Sequence, residues 1–207
     1  MLASQLLPLY RYEDCAIVCL SDGGVMVGAQ IAIQLHSILT MLLTEEINLP
    51  MEPEAIGGIS QDGSFSYNKW YFPGEVDELV AEYYQYIEQE KLIKIAEMQR
   101  LIGPGGLIRR DLLKGRNIII VSDGMKSAFI LEIAIQYLKP VAMKKLIVAT
   151  PFASLAAVDR MHILADEIYC LNVLEDYIST DHYYNKRDVP SHEKVIETIE
   201  KIILKWK

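Results

Sequence analysis

The chain is 207 residues long and 51% hydrophobic, with 20 basic and 28 acidic side chains for a net charge of −8. That content suffices for one well-buried domain and excludes a disordered chain, while the acidity opposes sequence-independent attraction to nucleic acid or an anionic membrane. No apolar stretch approaches the ~20 residues of a bilayer span, and Leu6-Leu7-Pro8-Leu9 has no basic segment ahead of it, so a cytoplasmic protein is expected.

Cys15 to Leu20 predicts a first core strand, followed by Ser21-Asp22-Gly23-Gly24 and an apolar helix from Val25 to about Leu35. Ile38 to Leu43 predicts a second strand. Ala55 to Ser60 and Ser64 to Asn68 around Asp62-Gly63 predict a hairpin, because Asp-Gly supplies the positive φ angles of a two-residue turn. Glu75 to Leu101 predicts a long helix with Val76, Leu79, Val80, Tyr83 and Ile87 at three- and four-residue steps, ended by Gly103-Pro104-Gly105-Gly106.

Strands follow at Asn117 to Val121, Lys145 to Ala149 and Glu167 to Leu171, separated by helices near Lys126 to Leu138 and Pro151 to Leu164. After the polar, aromatic stretch Asp176 to Asp188, Pro190-Ser191-His192-Glu193 opens a terminal helix striped by Val195, Ile196, Ile199, Ile202 and Ile203. Cys15, Cys19 and Cys170 lie in apolar runs without metal-site spacing and are expected to be buried thiols. His36, His162, His182 and His192 show neither metal spacing nor a paired nucleophile.

Right-handed crossovers between parallel strands gather the loops at one edge of the sheet, where ligands bind. The most informative of these loops is Ser122-Asp123-Gly124-Met125-Lys126-Ser127-Ala128-Phe129, between a buried strand and a helix. It sets a carboxylate at a strand end and aims backbone N–H groups outward, which suits a ribose hydroxyl and a phosphate. Asp123 serves equally as an Asx-turn residue, Ser127 as a helix cap, and Asp22-Gly23-Gly24 as a plain turn.

Together these loops and the intervening hairpin resemble the type I phosphoribosyltransferase family, in particular its branch of uncharacterised predicted phosphoribosyltransferases. There a Pro-Arg-Gly-Gly-Val loop, a hairpin, a long helix and a Val-Asp-Asp-Gly-x-x-Thr-Gly-x-Thr motif follow in this order; Ala149-Thr150-Pro151 also fits the pattern. The resemblance implies one α/β domain over residues 1–207. Its mostly parallel twisted sheet is flanked by helices on both faces, with the hairpin at about 55–68, the long helix at about 75–101 and a small hood at about 176–205. It also implies phosphoribosyl pyrophosphate as ligand, Mg2+ as cofactor, Asp123 on the ribose, the 124–129 loop around the 5′-phosphate, and Asp22, Gly23 and Gly24 at the pyrophosphate.

The motif is degenerate here. Ser122 replaces the first acid, Ala128 puts a Cβ where backbone should approach phosphate, and the final Thr becomes Ile130. The Arg of the pyrophosphate loop falls on Asp22, and a basic pair of the branch falls near Glu45-Glu46. Two like charges ~4 Å apart at an effective dielectric of ~20 repel by ~4 kcal/mol, worth roughly three powers of ten in affinity. Lys126 adds a cation beside Ser127.

The expectation is therefore a protein that binds a phosphorylated ribose or nucleotide with reduced or lost transferase activity. The alternatives are an active Mg2+-dependent transferase and a dimeric scaffold. Tyr83, Tyr84 and Tyr86 give the long helix apolar character on more than one side, the feature that suggests a homodimer. Tyr67, Trp70, Tyr71, Phe72, Tyr177, Tyr183 and Tyr184 either stack on a base or pack.

Overall fold

The computed structural model describes residues 1–72, 74–102, 108, 110–185 and 189–204. In chain order the elements are α1 (Leu2–Tyr10), β1 (Cys15–Cys19), α2 (Asp22–Leu35), β2 (Ile38–Met41), β3 (Thr44–Asn48), β4 (Ala55–Ser60), β5 (Phe65–Tyr67) and α3 (Glu75–Ile102). They continue with β6 (Asn117–Val121), α4 (Phe129–Leu138), β7 (Lys145–Ser154), α5 (Leu155–Leu164), β8 (Glu167–Leu174) and α6 (His192–Leu204). The chain divides into two compact units: Met1–Leu42, Leu107–Ala128 and Lys139–Lys207 form one, Leu43–Gly106 and Phe129–Leu138 the other.

The first unit is a five-stranded parallel sheet in the order β2-β1-β6-β7-β8. Cys-Ala-Ile-Val-Cys and Asn-Ile-Ile-Ile-Val are buried along their whole length, as central parallel strands must be when both faces are covered. Right-handed crossovers put α2, which carries the chain from β1 to β2, on the face opposite α5, which carries it from β7 to β8. The sequence assigned nothing before Cys15, yet α1 is a helix with Leu2, Leu6 and Tyr10 buried at four-residue steps around the breaker Pro8. Among the described residues, no helix is long and apolar enough to cross a membrane.

The second unit has its own antiparallel sheet, β3-β4-β5. The predicted hairpin is there, and Thr44–Asn48, unassigned from sequence, pairs with its first strand. Its turn is longer than two residues: Gly63 takes φ +83° while Asp62 keeps a negative φ and accepts hydrogen bonds from the Ser60 hydroxyl and the Ser64 N–H. Ile87 of α3 is buried with Ile47, Leu49 and Ile56, and Val76, Leu79, Val80 and Tyr83 pack on that cluster as the helical spacing predicted. The helix kinks at Tyr83 (φ −106°, ψ 18°). The Gly103-Pro104-Gly105-Gly106 stop lies outside the described residues.

Several boundaries move for identifiable reasons. Helix α2 begins at Asp22 rather than Val25 because the Ser21 hydroxyl caps it. Strand β2 stops at Met41, and α4 starts at Phe129 rather than Lys126. Strand β7 runs through Pro151 to Ser154, a stretch whose pattern predicts a helix; its pairing with β8 skips the proline, joining Thr150 to Cys170 and resuming with Phe152 and Asn172. Cys15 and Cys19 are buried and Cys170 is only half-buried; all three are free thiols.

Candidate functional site

Strand β1 has β2 on one side and β6 on the other, so the connections leaving β1 and β6 diverge in opposite directions along the sheet. A crevice opens at the carboxyl ends of such a pair of strands. Two corners meet in it. Ser21, just past β1, donates its hydroxyl proton to Asp123 Oδ1 at 2.7 Å, and Ser21 Oγ accepts the Gly24 N–H at 2.9 Å. One side chain thus caps α2 and orients the carboxylate of the other corner. Gly23 completes the fit, because a Cβ there would strike the Asp123 carboxylate.

The corner after β6 is an arc in a ladder that does not lose register. Val121 pairs with Ala149 and Met125 with Ala153, at the same offset, while 122–124 and 150–152 bow apart between them. The Met125 N–H donates to the Phe152 carbonyl at 2.9 Å, and the Ser154 N–H donates to the Met125 carbonyl at 3.0 Å. The Ser122 hydroxyl is turned inward onto the Gly124 carbonyl at 2.8 Å. Asp123 is the polar side chain that the arc leaves facing the crevice.

The segment after β8 lies over this arc. A Cβ on Gly124 would strike the Tyr177 hydroxyl and Thr180, which bond each other at 2.8 Å, and Tyr184 donates its hydroxyl to the Asp123 carbonyl at 2.8 Å. Phe152 packs against a tilted Tyr183 ring and meets Tyr184 edge to face, with ring centroids 5.4 and 5.6 Å away. Burial, with the Asp123 charge second, pushes the Tyr184 phenol up to about 12, so it stays a donor at neutral pH. At the other corner, Asp22 Oδ1 lies 2.7 Å from Nδ1 of His192, the first residue of α6.

Beside Asp123 and Gly23 opens a cavity of about 470 Å³, running along α2 past Gln30 to Gln34 and covered by Asp181 and Tyr184. Its size suits a small ligand. Most of the wall is apolar, including Met26, Ile31 and Leu171, and its only charged side chains among the described residues are Asp123 and Asp181.

A family model described as the phosphoribosyl transferase domain matches residues 1–187. The chain belongs to this family. It is 26% identical over 186 residues to a Mycobacterium tuberculosis protein with the provisional name phosphoribosyl transferase, which appears in two strains; the match covers 89% of this chain. The chain spans only 41% of the length of these curated relatives. Among solved structures it is similar to TT1426 from Thermus thermophilus, with 25% identity, TM-score 0.67 and coverage of 99% of this chain and 93% of that one. A hypoxanthine phosphoribosyltransferase from Staphylococcus aureus shares the fold at 12% identity and TM-score 0.51, covering 84% and 70% of the two chains.

Within this phosphoribosyl transferase domain the residues singled out from sequence separate into groups. Asp123, Gly23 and Ser122 converge at the crevice, with Ser122 tied to its own loop. Asp22, Gly23 and Gly24 form the first turn of α2 rather than an open loop. Gly124 lies under the segment after β8, and the Met125 N–H is already bonded to the Phe152 carbonyl, so neither is open to a ligand anion. Lys126 is exposed, Ser127 half-buried and Ala128 buried. The Phe129 side chain packs with Ala55 and Ile133 in the core of the second unit.

Glu45, near which the family's basic pair is expected to fall, lies on β3 and pairs with Lys94 at 3.3 Å. A resident Mg2+ finds no fit. No group of three metal-ligating side chains exists among the described residues, and Asp123 has one oxygen bonded to Ser21. A divalent cation would arrive on the ligand's phosphates.

Sequence reasoning missed Ser21, His192, Thr180 and Asp181. Ser21 carried a readable signal, a hydroxyl just before an apolar helix. His192 carried none beyond its place in the Pro-Ser-His-Glu helix start.

Proposed function

We propose that this phosphoribosyl transferase domain binds a phosphorylated ribose at the β1–β6 crevice, with its transferase activity weak or lost. In this reading Asp123 accepts hydrogen bonds from the ribose hydroxyls, Lys126 and the amides of 126–128 hold the 5′-phosphate, and the group on carbon 1′ enters the neighbouring cavity. The observation that carries it is the Ser21–Asp123 hydrogen bond at 2.7 Å, which fixes the Asp123 carboxylate at the mouth of a ligand-sized cavity.

Weak transfer follows from the charges. Departure of pyrophosphate leaves carbon 1′ oxocarbenium-like and needs cations around the leaving group. The position that carries Arg in the family is Asp22, and its partner is His192.

Calorimetric titration with ribose 5-phosphate, a nucleoside monophosphate and phosphoribosyl pyrophosphate, each with Mg2+, tests the reading. The monophosphates are expected to bind as well as the pyrophosphate ligand, and Lys126→Ala to weaken them by about 1–3 kcal/mol. Brisk pyrophosphate release with any nucleobase refutes the loss of activity, and silence from all three ligands refutes the site. Homodimerisation belongs to the same proposal: α3 leaves Tyr84, Leu92, Ile93 and Leu101 exposed, and sedimentation of the purified chain decides it.

A further inference from the structure

Resting on the proposed phosphoribose site, we infer that Ser154 is a positioning residue for the 5′-phosphate: it turns the Lys126–Ser127 peptide so that two successive backbone N–H groups face the crevice. Ser154 ends β7, is 9% exposed and makes three hydrogen bonds. Its N–H donates to the Met125 carbonyl at 3.0 Å, and its hydroxyl donates to the Lys126 carbonyl at 2.7 Å. Its Oγ also accepts the Ala157 N–H at 3.0 Å, as the cap of α5.

The direction of the loop amides follows from these bonds. Met125 spends both its N–H and its carbonyl on β7. A trans peptide carries its N–H opposite to its carbonyl, so the Lys126 N–H points away from β7, toward the β1 side of β6 where the crevice lies. In a strand that simply continued, the next peptide would be reversed, with the Lys126 carbonyl facing β1 and the Ser127 N–H facing β7. The Ser154 hydroxyl draws that carbonyl to itself instead, and the Ser127 N–H is thereby turned to the same side as that of Lys126.

Successive N–H groups on one side make a concavity that suits an anion. Ser154 is thus the counterpart of Ser21. Each caps a helix and reaches onto the corner after β6 from a neighbouring strand, Ser21 holding its carboxylate and Ser154 its backbone.

The first test uses the unmodified, nitrogen-labelled chain, titrated with ribose 5-phosphate and followed through its amide resonances. The Lys126 and Ser127 N–H signals are expected to shift more than that of Met125. If calorimetry shows binding while these two stay in place, the inference fails and the phosphoribose reading stands, with the phosphate held by the Lys126 side chain. The second test is Ser154→Ala, expected to weaken ribose 5-phosphate about five- to tenfold, as the loss of one aligned hydrogen bond to a charged group requires.

A merely structural role would lower the melting temperature and the folded fraction, read as binding stoichiometry, and leave the dissociation constant of the folded molecules unmoved. Ser154→Thr keeps the hydroxyl and is expected to stay within about threefold of the unmodified chain. An unmoved dissociation constant in Ser154→Ala, or Ser154→Thr as weak as Ser154→Ala, overturns the inference. If ribose 5-phosphate does not bind the unmodified chain, the underlying reading fails and takes the inference with it.

Discussion

The tripeptide Ser-Asp-Gly occurs twice in this chain, each time directly after or one residue beyond a buried parallel strand, and the two copies have opposite fates. After β1 the serine turns forward to cap a helix, the aspartate is drawn to His192, and the glycine makes room for the other corner's carboxylate. After β6 the serine folds back on its own loop, the aspartate faces the crevice, and the glycine makes room for Tyr177 and Thr180. What differs is the continuation of the chain: after Gly23 it winds into α2, whereas after Gly124 it returns to the ladder at Met125 and Ala153. Identical local sequence sets the options, and the neighbouring strand selects among them.

The sharpest break of this comparison is to add a methyl group to each glycine. Gly23→Ala displaces the Asp123 carboxylate from Ser21 and is expected to cost ribose 5-phosphate binding about 1.5–3 kcal/mol by calorimetry, with the melting temperature little changed. Gly124→Ala instead lifts Tyr177 and Thr180, so faster amide hydrogen exchange is expected across 177–184. If the two variants behave alike, the corners are not distinct.

The serines come next. Ser21→Ala removes both a helix cap and the partner of Asp123, for an expected loss of about 1–2 kcal/mol in denaturant unfolding. Ser122→Ala loses one loop hydrogen bond and is expected to cost about 0.5–1.5 kcal/mol with ligand affinity retained.

Asp22→Asn is a milder change, because its partner His192 and the aspartate are both partly exposed, with 14% and 31% of the side-chain surface open. It is expected to cost at most about 1 kcal/mol of stability, less in high salt, and to improve binding of phosphoribosyl pyrophosphate relative to ribose 5-phosphate. Asp123→Asn is expected to weaken both ligands together. A matching selectivity change in the two variants would erase the distinction.

The smallest expected effect is a control far from both corners. At β8, Glu167 accepts hydrogen bonds from Lys145, Tyr10 and Tyr169, and these, Lys145 foremost, lower its carboxyl to about 2. A depressed acid stabilises the fold fully above its unfolded value near ~4.3, and that contribution fades as pH falls through about 2. With 31% of the side chain exposed, at most about 1 kcal/mol is expected. Melts of Glu167→Gln between pH 5 and 2 check it: the variant should lose this slope and leave ligand binding untouched.

The central parallel strands were legible because strands covered on both faces become unbroken apolar runs, as in Asn117–Val121. The stripe on α3 was legible because helical spacing is a local property. Thr44–Asn48 was not, since its pattern of two buried and three less buried positions becomes a strand only by pairing with β4. Pro151 misled because proline removes a ladder donor, while here the pairing of β7 with β8 skips that one position and resumes at Phe152.

By itself the sequence determined the fold family, and it proposed the carboxyl edge as the place of a site and Asp123 as its acid. Only the tertiary structure decided what each corner residue is bonded to. Ser21 meets Asp123 across 102 residues and His192 meets Asp22 across 170, and such pairs leave no period or spacing in the chain. The loop amide at Met125 makes the same point in the backbone: whether an N–H is offered to a ligand or used by the sheet depends on how far the neighbouring strand extends.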